Sequence, residues 1–394
     1  MRIAVINNFF PPRVGGSAHI SDGLARHYAA AGHDVMVLTC AYQGAPPLEH
    51  RDGIVIYRLP SWTLPETRIS FNFDINFALK PRNLGHTFRL LDRFQPEVLH
   101  EHGQFFDLTW QAGLWARRRG VPSVLTVHTR LVSPSSGAGA VFRGLDAAVV
   151  DPILKKLNPT KFVALDSDMA EYLTDRYGLP PSRVEYIPVG IELERFRDVV
   201  PADIRGRFDL GDGPVALSLG HVIPIRDRVL LVRAMPAVLE RHPNFKLLVV
   251  GGVYNWAFLE IAESLGVKDA IVTTGPLPKS EIPGICASVD FECHDLQGFG
   301  IGIAGLEAMA SGTPVILSAR SDHWPDAPLV NGQDCLLTPQ GDIAALANEM
   351  CRLIEDKELR KRVGEGGRDY VFDHLDMDRV AQRNLDLLIS VAQQ

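Results

Sequence analysis

The sequence predicts an α/β protein built from two Rossmann-like domains that face each other across a cleft, and three observations carry that prediction. Short β-branched apolar runs alternate with amphipathic, helix-length stretches from one end of the chain to the other. Parallel strands need crossover helices, so this alternation specifies open sheets covered on both faces. The runs are too many for one open sheet, and 394 residues exceed the length of about 150 typical of one domain. A polar seam at 193–214, punctuated by Pro201, Gly206, Gly211, Gly213 and Pro214, precedes an apolar strand and divides the chain.

Taken in order, the first half predicts strands at 3–6, 35–38, 55–57, 98–100, 124–127, 162–164 and 184–187. Helices are expected between them at 19–31, 105–119 and 169–177. The second half repeats the pattern, with strands at 215–219, 247–250, 271–273, 289–293 and 315–317. Its helices fall at 229–241, 258–265, 303–310 and 343–354. The expected organisation is a first domain over 1–195, a linker over 196–213 and a second domain over 214–375. A closing helix over 376–394 would cross back to the first domain. Residues 60–96 hold Trp62, Phe71, Phe73, Phe77 and Phe88 with poor periodicity. They read equally as a binding wall or as a loop packed on the core by its own aromatics.

Composition narrows the function. Lys and Arg number 40 against 47 Asp and Glu, a net charge of −7. That disfavours a nucleic-acid binder relying on overall positive charge, while leaving room for a local basic pocket around an anionic small molecule. Hydrophobic residues at 46% and charged residues at 22% exclude a disordered chain. No run approaches the roughly 18 apolar residues of a membrane span, and the first residues read as a strand rather than a signal peptide. Five cysteines without a CxxC pair read as reduced thiols and not as a zinc site. A cytoplasmic protein is expected, at most peripheral to the inner face of the membrane.

Four motifs could carry chemistry. Pro11-Pro12-Arg13-Val14-Gly15-Gly16-Ser17-Ala18-His19 joins the first strand to the first helix, beyond the carboxyl end of a strand where open sheets bind ligands. Gly15 and Gly16 would let backbone approach a ligand, with unpaired helix N–H groups behind them; the alternative is a tight turn needing positive φ. Gly300-Ile301-Gly302-Ile303-Ala304-Gly305 spells G-x-G-x-x-G ahead of a helix, which suits a diphosphate with or without a dinucleotide. Glu307, a turn later, could reach a ribose. In Gly220-His221-Val222-Ile223-Pro224-Ile225-Arg226-Asp227-Arg228, Arg226 could fork two hydrogen bonds to a phosphate. His100-Glu101-His102 and Thr126-Val127-His128 end two strands; their spacing hints at metal, but no carboxylate cluster accompanies them. Asp166-Ser167-Asp168 imitates a metal-binding D-x-D, yet Asp168 and Glu171 have capping-box spacing. Arg117-Arg118-Arg119 and Lys155-Lys156 read as basic helix C-termini.

Together the motifs resemble the retaining glycosyltransferases of family 4, of GT-B architecture, over nearly the whole chain. Pro11, Pro12, Gly15, Gly16, His19 and Gly32-His33-Asp34-Val35 are similar to the family's P-P-x-x-G-G…H and G-H-x-V. Leu99-His100-Glu101-His102 resembles V-x-H-x-H, Thr126-Val127-His128 resembles T-x-H, and Ile187-Pro188-Val189-Gly190-Ile191-Glu192…Phe196 resembles I-P-N-G-V-D…F. E-A-M-A-x-G-x-P-V runs without a gap from Glu307 to Val315. The resemblance implies a metal-independent, cofactor-free enzyme that moves a sugar from a UDP- or GDP-sugar to an acceptor with retention. Domain closure would exclude water. His128 would be catalytic, touching the donor sugar. Gly15, Gly16, His221, Arg226, Leu277, Gly300, Ile301, Gly302 and Glu307 would bind the donor, Glu307 at its ribose. The partners implied are a nucleotide-sugar donor and a small-molecule or lipid-linked acceptor, with no nucleic acid.

Four departures from the family pattern stand out. Counting back eight residues from Glu307, as E-x7-E requires, lands on Phe299, leaving His294 and Asp295 as substitutes for the missing acid at the sugar. His221 replaces an arginine, Arg226 and Asp227 replace lysine and glycine, and Val189 replaces asparagine. One cation is thereby kept and another made conditional on pH. The competing readings are a GT-B nucleotide-sugar epimerase or phosphorylase, an NAD-dependent dehydrogenase using Gly300, Gly302 and Gly305, and a catalytically inactive nucleotide-sugar-binding protein.

Overall fold

The computed structural model describes residues 1–13, 15–63, 76–130, 136–224, 226–293, 296 and 300–394. The chain divides into two compact units, Met1–Gly190 with Met377–Gln394, and Ile191–Asp376. In the first, the strands are β1 (Arg2–Ile6), β2 (Asp34–Cys40), β3 (Leu48–Arg51), β4 (Ile54–Leu59), β5 (Trp62–Thr63), β6 (Asn76–Phe77), β7 (Val98–His102), β8 (Ser123–Val127), β9 (Lys161–Ala164) and β10 (Val184–Tyr186). Eight of them form one sheet in the order β10-β9-β8-β7-β1-β2-β4-β3, parallel except for the β3–β4 pair. In the second unit, β11 (Val215–Leu219), β12 (Lys246–Val250), β13 (Ile271–Gly275), β14 (Phe291–Cys293), β15 (Val315–Leu317) and β16 (Leu336–Leu337) pair in parallel in the order β13-β12-β11-β14-β15-β16.

Alternation along these strands shows why both faces are apolar. Ala216, Leu247, Val249, Phe291 and Ile316 enter one core cluster of the second unit, while their neighbours Val215, Leu217, Leu248, Val250 and Val315 enter the other. Successive residues of a strand point to opposite faces, so each face needs its own helices. All five cysteines are buried free thiols, as the sequence suggests. Among the described residues, no helix is long and apolar enough to cross a membrane.

Several local expectations need correction. The 196–213 segment is not a linker: it begins at the end of the Leu193–Phe196 turn and holds the Ile204–Phe208 helix, and Phe196, Ile204 and Leu210 sit in the core of the second unit. Burying such side chains stabilises by roughly 1.5–3 kcal/mol each, which outweighs the polar punctuation around them. Gly213 is likewise a packing glycine, since a Cβ there would lie 1.9 Å from the Asn244 carbonyl oxygen. The closing segment is no correction: after the Lys357–His374 helix, a separate helix over Met377–Ala392 belongs to the first unit. The latter packs on the Gly16–Ala30 helix, β7 and β8, and a Cβ on Gly190 would meet Met377 Cα at 2.8 Å.

Within 60–96, β5 and β6 pair with Trp62 and Phe77 stacked at 5.1 Å, and Pro81–Phe94 is a helix started by its proline and ended by left-handed Gln95. Phe71 and Phe73 lie outside the described residues. Asp166, not Asp168, caps the Ser167–Tyr177 helix by accepting from Met169 N–H at 2.7 Å. Asp168 instead pairs with Arg130 at 3.5 Å.

Candidate functional site

Strand order places the candidate loops within each unit. From β1 the first sheet runs to β2 on one side and β7 on the other; from β11 the second runs to β12 and β14. Such reversals open a crevice beyond the carboxyl ends of the strands. The loop bearing Gly15 and Gly16 leaves β1, and His128 follows β8, next but one in the same sheet. The loop bearing His221 and Arg226 leaves β11, and the segment leading to Gly300–Gly302 leaves β14.

In the first unit Gly15 is the N-cap of the Gly16–Ala30 helix and makes no side-chain cap. The first intrahelical bond runs from His19 N–H to the Gly15 carbonyl, so the preceding amides have no helical acceptor. Gly15 has φ 165°, ordinary extended backbone, and a Cβ built on it would meet no atom of the described residues within 4 Å. Neither a positive-φ turn nor packing among the described residues demands glycine there, which corrects that alternative. Asn7 anchors the loop by donating to the Ser17 carbonyl at 3.2 Å and Ser21 Oγ at 3.0 Å.

The histidines form a polar row, with His100 and His102 buried and His128 half-buried. Tyr28 Oη lies 3.0 Å from His100 Nδ1, and His100 Nε2 lies 2.8 Å from Thr126 Oγ1. His102 Nδ1 meets His128 Nε2 at 2.9 Å. Both nitrogens of His100 are thus engaged, which removes it from any metal reading. Burial pushes the pKa of His100 down to about 3 and of His128 to about 4, and that of His102 well below the ordinary value. Glu101 is buried too: a Cβ on Gly113 would lie 3.2 Å from its Oε1, and burial pushes its pKa up to about 8.

In the second unit the guanidinium of Arg226 lies directly against Gly302, where a Cβ would fall 2.7 Å from Nη1 and 3.1 Å from Cζ. Gly302 is the N-cap of the Ile303–Ala310 helix. A fixed cation and the amides of a helix start therefore converge on one place. His221 Nδ1 accepts from Gly252 N–H at 2.9 Å, and burial lowers its pKa. At neutral pH it offers an N–H donor and no charge. Gly300 is buried with φ 84°, the left-handed conformation that favours glycine. Leu277 and Ile301 are part-buried on the same apolar cluster as the 303–310 helix. Glu307 Oε1 accepts from Arg195 Nη1 at 3.3 Å. Burial raises its pKa, opposed by Arg195 and Lys279. His294, Asp295 and Phe299 lie outside the described residues.

Two contributors escape the sequence. Arg228 is fully buried and donates to Ser218 Oγ, to the Arg226 carbonyl at 2.6 Å, and to the Leu219 and Gly220 carbonyls at 3.4 and 3.3 Å. It ties the start of the His221–Arg226 loop to its end. Its only signal is an arginine standing immediately ahead of an apolar helix. Arg195, the other, holds Glu307 and also donates to the Lys279 carbonyl at 2.7 Å. The 112 residues separating it from Glu307 hide that pairing.

Comparison with known proteins assigns the family. Residues 14–195 match the family model for Glycosyltransferase Family 4, and residues 203–370 match that for Glycosyl transferases group 1. A D-inositol 3-phosphate glycosyltransferase of Frankia alni is 29% identical over 369 residues, covering 87% of this chain and 86% of the relative. A GDP-mannose-dependent alpha-(1-6)-phosphatidylinositol monomannoside mannosyltransferase of Mycobacterium tuberculosis is 24% identical over 401 residues, 98% of each chain. The crystal structure of Anabaena HepE in complex with UDP and glucose aligns with a TM-score of 0.73 at 16% identity, over 99% of this chain and 100% of that one, which speaks for the fold alone. With two parallel-sheet units, glycine-led helix starts at both switch points and matches over both halves, the chain belongs to the group 1, family 4 glycosyltransferases and is an enzyme of the GT-B fold.

Proposed function

We propose that this glycosyltransferase moves a sugar, with retention and without a metal, from a UDP- or GDP-sugar to a small or lipid-linked acceptor. The observation that carries the reading is Arg226 packed against Gly302 at the start of the 303–310 helix. A guanidinium beside a helix N-terminus matches a diphosphate, and it stabilises the leaving group as the sugar–phosphate bond breaks. His221 adds a neutral N–H donor on the same loop. Glu307, steadied by Arg195, would accept from ribose hydroxyls. In the first unit, the helix start at Gly15 and Gly16 is suited to phosphate, and His128 to the donor sugar. On the front face the C1–O bond to phosphate breaks while the acceptor oxygen bonds C1, and the acceptor proton passes to the leaving phosphate oxygen.

The relatives support the choice of ligands: one is named for GDP-mannose and a phosphatidylinositol monomannoside, another for inositol 3-phosphate, and a structural neighbour is seen with UDP and glucose. Asp295 would take the sugar hydroxyls that the absent acid at Phe299 leaves unheld, and Asp295→Ala should then slow turnover. The test is a thermal-shift series with UDP, GDP and ADP, because a ligand that binds only the folded state raises its stability by mass action. One diphosphate should raise the melting temperature in the wild type and fail to do so in Arg226→Ala. No response to any of them overturns the reading. Incubation with the matching nucleotide sugar and no acceptor should leave the sugar unaltered apart from slow hydrolysis, whereas an altered sugar would favour an epimerase.

A further inference from the structure

We infer that His102 is a positioning residue that fixes the tautomer of His128, so that His128 presents an Nδ1–H donor to the donor sugar and not a base. This rests on the reading above that His128 faces that sugar. The tautomer itself follows from the hydrogen-bond row. His102 Nδ1 and His128 Nε2 are 2.9 Å apart, their rings stacked at 5.2 Å with 25° between planes. Burial keeps both rings neutral, so each carries one N–H and one nitrogen of the pair must be the donor.

The other nitrogen of His102 decides which one. His102 Nε2 is buried and has no hydrogen-bond partner among the described residues. Orphaned N–H groups are the rarer kind of buried unpaired atom, because the donor forfeits its bond to water with nothing in return. The His102 proton therefore sits on Nδ1 and is donated to His128 Nε2. That leaves His128 with its proton on Nδ1. His128 is half-buried, and Nδ1 is its nitrogen outside the row. The atom available to a substrate is thus an N–H that can stabilise a hydroxyl or a developing negative charge but cannot accept a proton. This agrees with a reaction in which the leaving phosphate oxygen takes the acceptor proton.

His100 completes the support. Its ring lies 4.4 Å from that of His102, and it is held by Tyr28 and Thr126, so His102 cannot rotate away without disturbing a satisfied pair.

The test uses the full-length enzyme labelled with 15N-histidine. Long-range 15N–1H correlation, with His128→Gln identifying the signal, should show His128 protonated on Nδ1. An Nε2–H signal in the wild type overturns the proposal. Two substitutions extend the test. His102→Leu removes the donor, whereas His102→Asn keeps an amide N–H near the same position. His102→Leu should lower kcat by about 10-fold, the upper range for one hydrogen bond, with little change in donor KM. It should also shift the acid limb of the kcat profile upward, as His128 becomes protonatable. His102→Asn should recover most of kcat and restore the pH profile. Equal loss in both variants, with an unshifted pH profile, would reduce His102 to a packing residue and overturn the inference. Should His128→Gln retain full activity, the placement of His128 at the sugar fails, while the NMR result still decides the tautomer.

Discussion

Gly302→Ala tests the diphosphate site in a way that separates binding from folding. The added methyl would lie 2.7 Å from Arg226 Nη1, where ordinary contact begins at 3.4 Å, so the guanidinium must retreat by about 0.7 Å. The backbone has no objection: Gly302 has φ −78° and ψ 162°, which alanine adopts freely. Only the far end of a flexible side chain has to move, so thermal stability should stay near wild type. The displaced cation should forfeit a charge-assisted hydrogen bond of about 1.5–3 kcal/mol, weakening the nucleoside diphosphate by roughly 10- to 150-fold. Calorimetric titration of Gly302→Ala, Arg226→Ala and the double variant closes a mutant cycle. If the methyl acts through Arg226, the double variant binds no more weakly than Arg226→Ala alone. Additive losses, or unchanged affinity in Gly302→Ala, would refute the placement of the phosphate beside this pair.

Arg228→Met should destabilise the protein by about 3 kcal/mol or more in urea unfolding, because several buried acceptors lose their donor together; a loss under about 0.5 kcal/mol would contradict its role as the loop tie. Arg195→Ala should cost nucleotide affinity by about 1 kcal/mol, as expected of a part-exposed ion pair, while leaving inorganic pyrophosphate affinity unchanged. An equal loss for both ligands would remove Glu307 from the ribose. His100, His102 and His128 have folded pKa values below the unfolded 6.5, so below pH 6.5 the unfolded chain binds protons that the folded chain does not. Stability should therefore fall on acidification, by about 1.4 kcal/mol per pH unit for each histidine. Glu101 has the opposite sign: with a folded pKa of about 8, its contribution declines from about pH 4.5 to 8, and Glu101→Gln should steepen the melting-temperature rise below pH 6.5 and flatten the profile between about pH 6.5 and 8. A profile identical to wild type would show that the carboxyl is already ionised when folded.

The alternation of apolar runs with amphipathic ones made the two sheets legible, because burial on both faces forces near-continuous apolar strands. The motif at 11–19 and the run from Glu307 to Val315 were legible for the same local reason, since a helix start after a strand needs little beyond its own residues. The Pro81–Phe94 helix was obscured by the aromatic stretch before it, although Leu84, Phe88 and Leu91 recur at helical spacing. The choice of Asp166 over Asp168 as cap depended on two residues of register, which cap spacing alone cannot separate. Gly213 looked like linker punctuation and is a close-packing site, because the atom that demands glycine belongs to Asn244, far along the chain.

The sequence by itself determined the fold class, the division of the chain and the loops that could meet a diphosphate, since hydrophobic period and glycine placement act within a few residues. Tertiary structure alone decided which charges meet. Arg226 reaches Gly302, Arg195 reaches Glu307 and His102 reaches His128 only because the sheets set β11 beside β14 and β7 beside β8. Charge pairing and tautomer choice depend on distances of a few ångströms between residues remote in the chain, and strand order, not local sequence, sets those distances.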